Sequence, residues 1–124
     1  AAQYAQLLKA DILYNSENYA QAADVYKPLL TSDNPTVATV AALSLAASQQ
    51  AQKNYQDAAA GMQNFIQNNP KSFALPQAYL TLAMSQELAG NKTEAISAYK
   101  QLADAYAPTY FGSVAKGKLA ELQK

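Results

Sequence analysis

Apolar residues recur along this chain at helical spacing, and short polar stretches divide them into segments. In the first segment, Leu7, Leu8 and Ile12 occupy the i, i+1 and i+5 positions that are typical of one face of an amphipathic helix. The same reading predicts seven helices, over about residues 3–15, 19–30, 35–52, 55–68, 73–90, 91–106 and 109–123. The pattern therefore favours an all-α fold.

The helix ends have recognisable signals. Asn34 stands directly before Pro35, and this pair of a capping residue and a proline at the first helical position predicts the start of the third helix. Pro28 lies in the last turns predicted for the second helix and should kink or shorten it, because proline has no N–H to donate. Gly90 can adopt the left-handed conformation that ends a helix, and it closes the fifth.

Three series of residues repeat along the chain. Leucines recur every 37 residues, at Leu8, Leu45, Leu82 and Leu119. An Asn recurs with an Ala four residues later, as Asn18 with Ala22, Asn54 with Ala58 and Asn91 with Ala95. A large residue follows eight positions after each Asn, as Tyr26, Met62 and Tyr99. A period of this length indicates stacked repeats, each of which buries its apolar face against its neighbours.

This periodicity sets the expected organisation. We expect one domain over residues 1–124, with helical hairpins over about 3–34, 35–71 and 72–108 and a capping helix over 109–123. The leucine series predicts that Leu45, Leu82 and Leu119 are buried. On the same register, the turn of the first repeat is one residue longer than the other two. The capping helix would cover the open end of the array, as solenoids require for solubility.

The repeated residues resemble the tetratricopeptide repeat, a helix-turn-helix unit. The third repeat matches its pattern best, with Tyr79, Leu82, Ala83, Gly90, Ala95 and Tyr99. The resemblance implies a right-handed α-solenoid of three hairpins plus the cap, in which the first helices of the hairpins form a concave face. It also implies a non-enzymatic scaffold that binds a protein or a peptide.

The repeats are longer than the usual 34 residues of that family, and the additional residues lie in the linkers between hairpins. In this they are similar to tetratricopeptide proteins of bacterial envelopes, such as the Tol-Pal coordinator, the outer-membrane assembly lipoprotein and an ancillary translocon subunit. This resemblance implies a role in envelope biogenesis or secretion and a periplasmic or envelope location, with the cytoplasm as the alternative. The resemblance also implies a membrane tether upstream of the chain, and a start without Met fits that expectation.

Composition narrows the function classes. Nine Lys balance nine acidic residues, and Arg, His and Cys are all absent from the 124 residues. A nucleic-acid partner is not expected, because such proteins carry a basic excess and rely on Arg. Without Cys there are no disulfides, zinc fingers or thiol nucleophiles. The acids are scattered singly, and charge on outer helix faces is the ordinary expectation, so we expect no enzyme, cofactor or metal site.

Seven of the nine tyrosines fall into two groups. Tyr19, Tyr26, Tyr55 and Tyr99 lie at repeat positions where an aromatic side chain packs one helix on the next, and we expect them in the core. Tyr14, Tyr106 and Tyr110 lie outside the repeat pattern and stay open as surface contacts.

One line of residues on the first helices is the candidate binding face. On the fifth helix it runs through Leu80, Met84 and Leu88, and steps of 37 residues lead back to Leu43, Ala47 and Ala51, then to Gln6, Ala10 and Tyr14. A mostly apolar line with an adaptable Met suits a helix or an extended peptide, but the same residues also fit additional core. We predict partner binding at Tyr14, Leu43, Gln77, Leu80, Met84 and Leu88, with little dependence on salt. The alternative is a structural module that self-associates into a homodimer.

Overall fold

The computed structural model describes residues 2–124, which form seven α-helices joined by short turns and linkers, with no strand in that range. The helices are α1 (Ala2–Asn15), α2 (Tyr19–Tyr26), α3 (Pro35–Ala51), α4 (Tyr55–Asn68), α5 (Leu75–Leu88), α6 (Lys92–Ala105) and α7 (Tyr110–Leu122). A 3-10 helix, Lys27–Thr31, follows α2 directly. The all-helical fold with seven helices is confirmed.

Local sequence explains where several helices begin and end. The Asn34 side chain accepts hydrogen bonds from the backbone N–H groups of Thr36 and Val37, at 3.0 and 3.3 Å, and so caps α3. Pro28 shortens α2 as predicted, since the regular helix stops at Tyr26 and continues only as the 3-10 helix. Helix α5 begins at Leu75 and not at Phe73, whose side chain is 86% exposed in the preceding linker.

The turns inside the three hairpins have one geometry. The residue before the recurring Asn has a positive φ each time, 65° at Glu17, 65° at Lys53 and 88° at Gly90. The Asn N–H then donates to the carbonyl five residues earlier, in the pairs Asn18–Leu13, Asn54–Gln49 and Asn91–Gln86, at 2.8, 2.8 and 2.9 Å. The turn of the first repeat is therefore no longer than the others, and the prediction of an additional residue there was wrong.

The equal turns change the register of the first repeat. Asn18 and Asn54 lie 36 residues apart, not 37, so the structural counterpart of Leu43 and Leu80 is Leu7. Leu7 is 7% exposed, whereas Leu8, which belongs to the 37-residue series, is 61% exposed. The position of Leu8 in that series is thus a coincidence of sequence. Burial of Leu45 and Leu82 is confirmed, while Leu119 is only partly buried, contrary to the prediction.

The hairpins stack so that first helices contact one another. Each second helix packs on its own first helix and on the first helix of the following repeat, with α7 completing the series after α6. Neighbouring first helices, α1 with α3, α3 with α5 and α5 with α7, also meet, but within residues 2–124 no two second helices make a comparable contact. We use the term first-helix face for the exposed surface of α1, α3 and α5, which corresponds to the concave face that the resemblance implies.

The core consists of two clusters. The first joins the opening repeat to α3, and its members include Leu7, Tyr26, Val37 and Leu45. The second runs from α3 through α7 and includes Met62 and Tyr99, which occupy the same repeat position as Tyr26. All three of these large side chains are almost fully buried, as expected. The prediction that Tyr19 and Tyr55 are core residues was too strong, because both are only partly buried.

Helix α7 covers the end of the second cluster, as predicted for a cap. Its side chains Phe111, Val114, Leu119 and Leu122 pack against that cluster, and Ala115 is fully buried in it. Gly112 makes the docking possible, because a Cβ there would collide with the backbone carbonyl oxygen of Tyr106 and lie 2.8 Å from the Cα of Ala107. The N–H of Gly112 donates to Thr109 Oγ1 at 3.3 Å, which fixes the first turn of α7.

Candidate partner-binding face

Three of the predicted contact residues form an exposed stripe on α5. Gln77, Met84 and Leu88 follow one another at seven and four residues, so they lie on one side of the helix. Met84 is 37% exposed and Leu88 is 53% exposed, and neither belongs to a core cluster. These two apolar side chains are therefore open to a partner.

The other predicted contact residues lie deeper. Leu80 is 8% exposed and is a member of the second core cluster, so it offers a partner little surface. Leu43 packs partly against the same cluster, and Tyr14 packs partly against the first. Leu80 therefore belongs to the core, and Leu43 belongs to it in part. Both agree with the alternative interpretation of this line as additional core.

The corrected register changes the line in the first repeat. The counterparts of Leu80, Met84 and Leu88 on α1 are Leu7, Asp11 and Asn15, not Gln6, Ala10 and Tyr14. Ala10 is in fact fully buried. The first-helix face is thus apolar on α5 but presents a carboxylate and an amide on α1, with Tyr14 beside them.

Polar side chains occupy the contact between α3 and α5. Gln50 Nε2 donates to Ser85 Oγ at 2.8 Å, and Ser85 is fully buried between the two helices. Gln77 Nε2 donates to Thr81 Oγ1 at 3.3 Å on its own helix. Gln77 is exposed and keeps its side-chain oxygen available, whereas Gln50 is committed to the helix contact.

At the third repeat, a carboxylate joins three helices. Tyr99 on α6 donates its hydroxyl to Glu87 Oε1 on α5 at 2.8 Å, and Lys118 on α7 lies 3.7 Å from the same oxygen. Burial and the neighbouring Glu87 carboxylate raise the pKa of the Tyr99 hydroxyl well above its ordinary value. The charge of Glu87 is therefore compensated inside the chain, and the group ties the cap to the third repeat.

At the first repeat, a similar pair lines a pocket. Tyr26 on α2 donates its hydroxyl to Asp11 Oδ1 on α1, and burial together with this bond raises the pKa of Tyr26. The cavity has a volume of about 290 Å³ and is lined by Asp11, Tyr14, Asn15, Tyr26, Ser44 and Ala47. The Tyr14 and Tyr19 rings pack in a T-shaped arrangement, with centroids 5.1 Å apart.

Sequence reasoning missed both carboxylate–tyrosine pairs. Asp11 and Glu87 were interpreted as solvated surface charges, but both are partly buried and accept a hydrogen bond from a core tyrosine. The available signal was an acid in a first helix within the same repeat as a tyrosine at the buried position of the second helix. In the middle repeat that position holds Met62, which has no hydroxyl, and no such pair forms.

Two of the wider cavities border α3, apart from the stripe of Met84 and Leu88. One, of about 430 Å³, lies between α3 and α4 where the shortened α2 leaves room, and Leu30, Ala42, Leu45 and Phe65 are among its lining residues. The other, of about 420 Å³, lies at the linker around Pro70 and Phe73. Their linings are apolar, hydroxyl and amide side chains, apart from Lys71 at the second.

The outer side of α1 carries an apolar strip. Tyr4, Leu8 and Ile12 are 51%, 61% and 57% exposed and follow one another at intervals of four residues. In the later repeats the positions of Leu8 and Ile12 hold Ser44 with Ser48 and Thr81 with Ser85. Those small polar residues face the preceding first helix, and α1 has no preceding first helix within residues 2–124.

In the part of the chain that the structure describes, no group of three or more potential metal-ligating side chains comes together. Across residues 2–124, no helix combines the length and the hydrophobicity needed to cross a bilayer.

Comparison with known families agrees with this architecture. One tetratricopeptide repeat profile matches residues 41–72 and 77–109, which together cover just over half of the chain. A second tetratricopeptide repeat profile matches residues 10–31, in the first hairpin. No curated protein matches the chain. Tetratricopeptide repeats generally mediate protein–protein interaction and are typically non-enzymatic. The matched segments coincide with the three stacked hairpins, and the chain belongs to the tetratricopeptide repeat family.

Proposed function

We propose that this chain is a non-enzymatic scaffold that binds a peptide or a partner protein along its first-helix face. The observation that carries the proposal is the exposure of Met84 and Leu88, two apolar side chains that the core does not use. A flexible Met beside a Leu adapts to different partner surfaces. Gln77 at the start of the stripe has a free oxygen that can accept a hydrogen bond from a peptide backbone.

On this proposal the predicted contact residues have distinct roles in binding. Met84 and Leu88 contact the partner, Gln77 orients it, and Leu43 and Tyr14 extend the face toward the first repeat. Leu80, one turn before Met84, packs in the core and so holds α5 in place. Binding energy in such interfaces is concentrated in a few central residues, so Met84 and Leu88 should dominate.

The setting that fits this scaffold is the bacterial envelope, in biogenesis or secretion, with a membrane tether outside the described residues. The support is the lengthened linker between hairpins, which resembles those of envelope tetratricopeptide proteins. Expression of the full-length gene with a compartment-specific reporter at the C-terminus tests this setting, and a cytoplasmic signal would contradict it.

Peptide selection tests the binding face directly. A random peptide library displayed on phage is selected on the immobilised chain, and recovered peptides are titrated against variants. Met84→Asp and Leu88→Asp should each weaken binding by about 1–3 kcal/mol or more, because a carboxylate replaces an apolar contact. The matched control is Ser97→Asp, which adds the same charge at an exposed position of the second helix α6. Equal affinity of Met84→Asp, Leu88→Asp and the control would place the binding face elsewhere.

A specific observation also favours a second function, self-association. The strip of Tyr4, Leu8 and Ile12 leaves large apolar side chains exposed at the end opposite the cap. Exposed apolar faces of this kind can pair symmetrically between two copies. Light scattering across a concentration series would show a mass that doubles for the native chain and stays monomeric for Leu8→Lys with Ile12→Lys. A monomer at all concentrations would remove this alternative.

A further inference from the structure

The pocket of the first repeat contains a carboxylate with no ion-pair partner among residues 2–124. Among the described residues Asp11 takes part in no ion pair, whereas Glu87 is paired with Lys118. Asp11 Oδ1 accepts the Tyr26 hydroxyl, and no hydrogen bond from the described residues reaches Oδ2. Since no buried side-chain oxygen in residues 2–124 lacks a partner, Oδ2 must be accessible to solvent.

The remaining lining has the chemistry that a cation needs. The side chains of Tyr14, Asn15, Tyr26 and Ser44 each provide an oxygen acceptor, and no Lys lines the cavity. The Tyr14 ring, held by Tyr19, offers an aromatic surface on which a guanidinium can stack. Ala47 leaves room where α5 carries Met84, and the cavity of about 290 Å³ is large enough for the end of an arginine side chain.

We propose that the pocket around Asp11 binds a cationic side chain, an arginine in preference to a lysine, from a protein or peptide lying on the first-helix face. A guanidinium presents five N–H donors in a planar fork, which suits one carboxylate surrounded by neutral oxygens. The inference rests on the proposed function and adds the direction in which the partner lies along the first-helix face. The partner places its cation at the first repeat, on Asp11, and an apolar segment at the third, on Met84 and Leu88.

The inference also changes the expected effect of salt. An apolar face alone would bind almost independently of ionic strength, as the sequence analysis predicted. A charge-assisted contact at a partly exposed carboxylate weakens as salt screens it. Peptides that carry an arginine in register with Asp11 should therefore lose affinity as salt rises, and matched peptides with a neutral residue there should not.

The test uses blocked arginine, N-acetyl-arginine amide, titrated into the ¹⁵N-labelled chain and followed by amide chemical shifts. The neutral isostere, N-acetyl-citrulline amide, is the matched probe, and blocked lysine measures the preference. We expect arginine to shift the amides of Asp11, Tyr14, Asn15, Ser44 and Ala47, lysine to shift them less, and citrulline not at all. Equal shifts from arginine and citrulline, or shifts that cluster away from the pocket, would overturn the inference.

Two isosteric variants complete the design. Asp11→Asn keeps an oxygen acceptor for Tyr26 and should weaken arginine binding by about tenfold or more, the loss expected for a charge-assisted hydrogen bond. Glu87→Gln makes the same change at the other carboxylate and should leave binding unaltered. Thermal melts confirm that both variants fold. Unchanged arginine binding in Asp11→Asn would overturn the inference.

Failure here is separable from failure of the proposed function. Peptides recovered by selection that depend on Met84 but are indifferent to Asp11→Asn and contain no basic residue would overturn the pocket and leave the scaffold function intact. Arginine binding lost in Asp11→Asn, together with peptides indifferent to Met84→Asp, would support the pocket and refute the apolar face.

Discussion

The first and third repeats use the same pair of groups to different ends. In each, a buried tyrosine of the second helix donates its hydroxyl to an acid of the first helix, Tyr26 to Asp11 and Tyr99 to Glu87. At the third repeat the capping helix brings Lys118 to the acid, and the charge is satisfied within the fold. At the first repeat the acid lines an open cavity with no cation among its lining residues.

The two acids also occupy different repeat positions. In the corrected register Asp11 is the counterpart of Met84, while Glu87 is the counterpart of Tyr14 and Gln50. A buried hydroxyl needs an acceptor, because an unpaired one costs about 1–3 kcal/mol. Either acid meets that need. What separates a structural carboxylate from a candidate binding group is the second charge supplied by α7.

The largest expected difference between the first and third repeats is in the cost of truncating a leucine of the 37-residue series. Leu82→Ala should lower the free energy of unfolding by about 2–5 kcal/mol, because it leaves a cavity in the core of the third repeat. Leu8→Ala, at the same place in the 37-residue series, should change it by no more than about 0.5 kcal/mol. Urea denaturation measures both. A large cost for Leu8→Ala would show that the apolar strip of α1 is covered in solution.

The docking of the cap gives the next largest effect. Gly112→Ala should destabilise the chain by about 1–3 kcal/mol, because the added Cβ collides with the backbone around Tyr106 and pushes α7 away. Gly117→Ala in the same helix meets nothing within 4 Å and should stabilise by about 0.5–1 kcal/mol through helix propensity. Thermal melts of the two variants should shift in opposite directions. Shifts of the same sign would mean that α7 is not docked as described.

Alkaline pH should lower the stability of the fold through both tyrosine–acid pairs. The folded state holds the hydroxyl protons of Tyr26 and Tyr99 at pH values where the unfolded chain has begun to lose them, because the pKa of each hydroxyl is raised on folding. Stability is therefore complete below the ordinary tyrosine pKa of about 10 and falls above it, by up to about 1.4 kcal/mol per pH unit for each group. Denaturation of the native chain, Tyr26→Phe and Tyr99→Phe across this range should show a shallower fall in each variant. Parallel curves would contradict the raised pKa values.

The smallest effect is at the ion pair of the cap. Lys118→Met should cost less than about 1 kcal/mol, because the Lys118 and Glu87 side chains keep partial contact with water, and the cost should shrink in high salt. Lys116→Met on the exposed side of α7 is the matched control and should cost nothing measurable. Equal costs for the two variants would show that Lys118 does not compensate the charge of Glu87. The proposed difference between the third and first repeats would then be wrong.

Much of the local structure follows from the sequence. Asn34 and Pro35 mark the start of α3, Pro28 shortens α2, and the repeated Asn marks each hairpin turn. The register of the first repeat did not follow, because a leucine at a constant interval is equally compatible with two faces of a helix. The hydrogen bonds of the turns decide the matter in favour of Leu7.

The candidate face was predicted in part. Helical spacing predicted that Met84 and Leu88 share one side of a first helix, and the structure shows that both are exposed there. Spacing alone did not distinguish Leu80 from Met84. Leu80 lies one turn before Met84 yet is buried by neighbouring helices. How much of a helix face is covered depends on the angle at which its neighbours cross it, and periodicity carries no information about that angle.

The sequence by itself determined the class of this protein, three helical hairpins and a cap, because caps, prolines and apolar spacing act within a single helix and its turn. Only the tertiary structure decided which acids accept a hydrogen bond from a buried tyrosine. Asp11 and Tyr26 come from different helices, as do Glu87, Tyr99 and Lys118, and their roles arise from contacts that form when the hairpins stack. Charge compensation depends on distances between helices, and those distances are fixed only by packing.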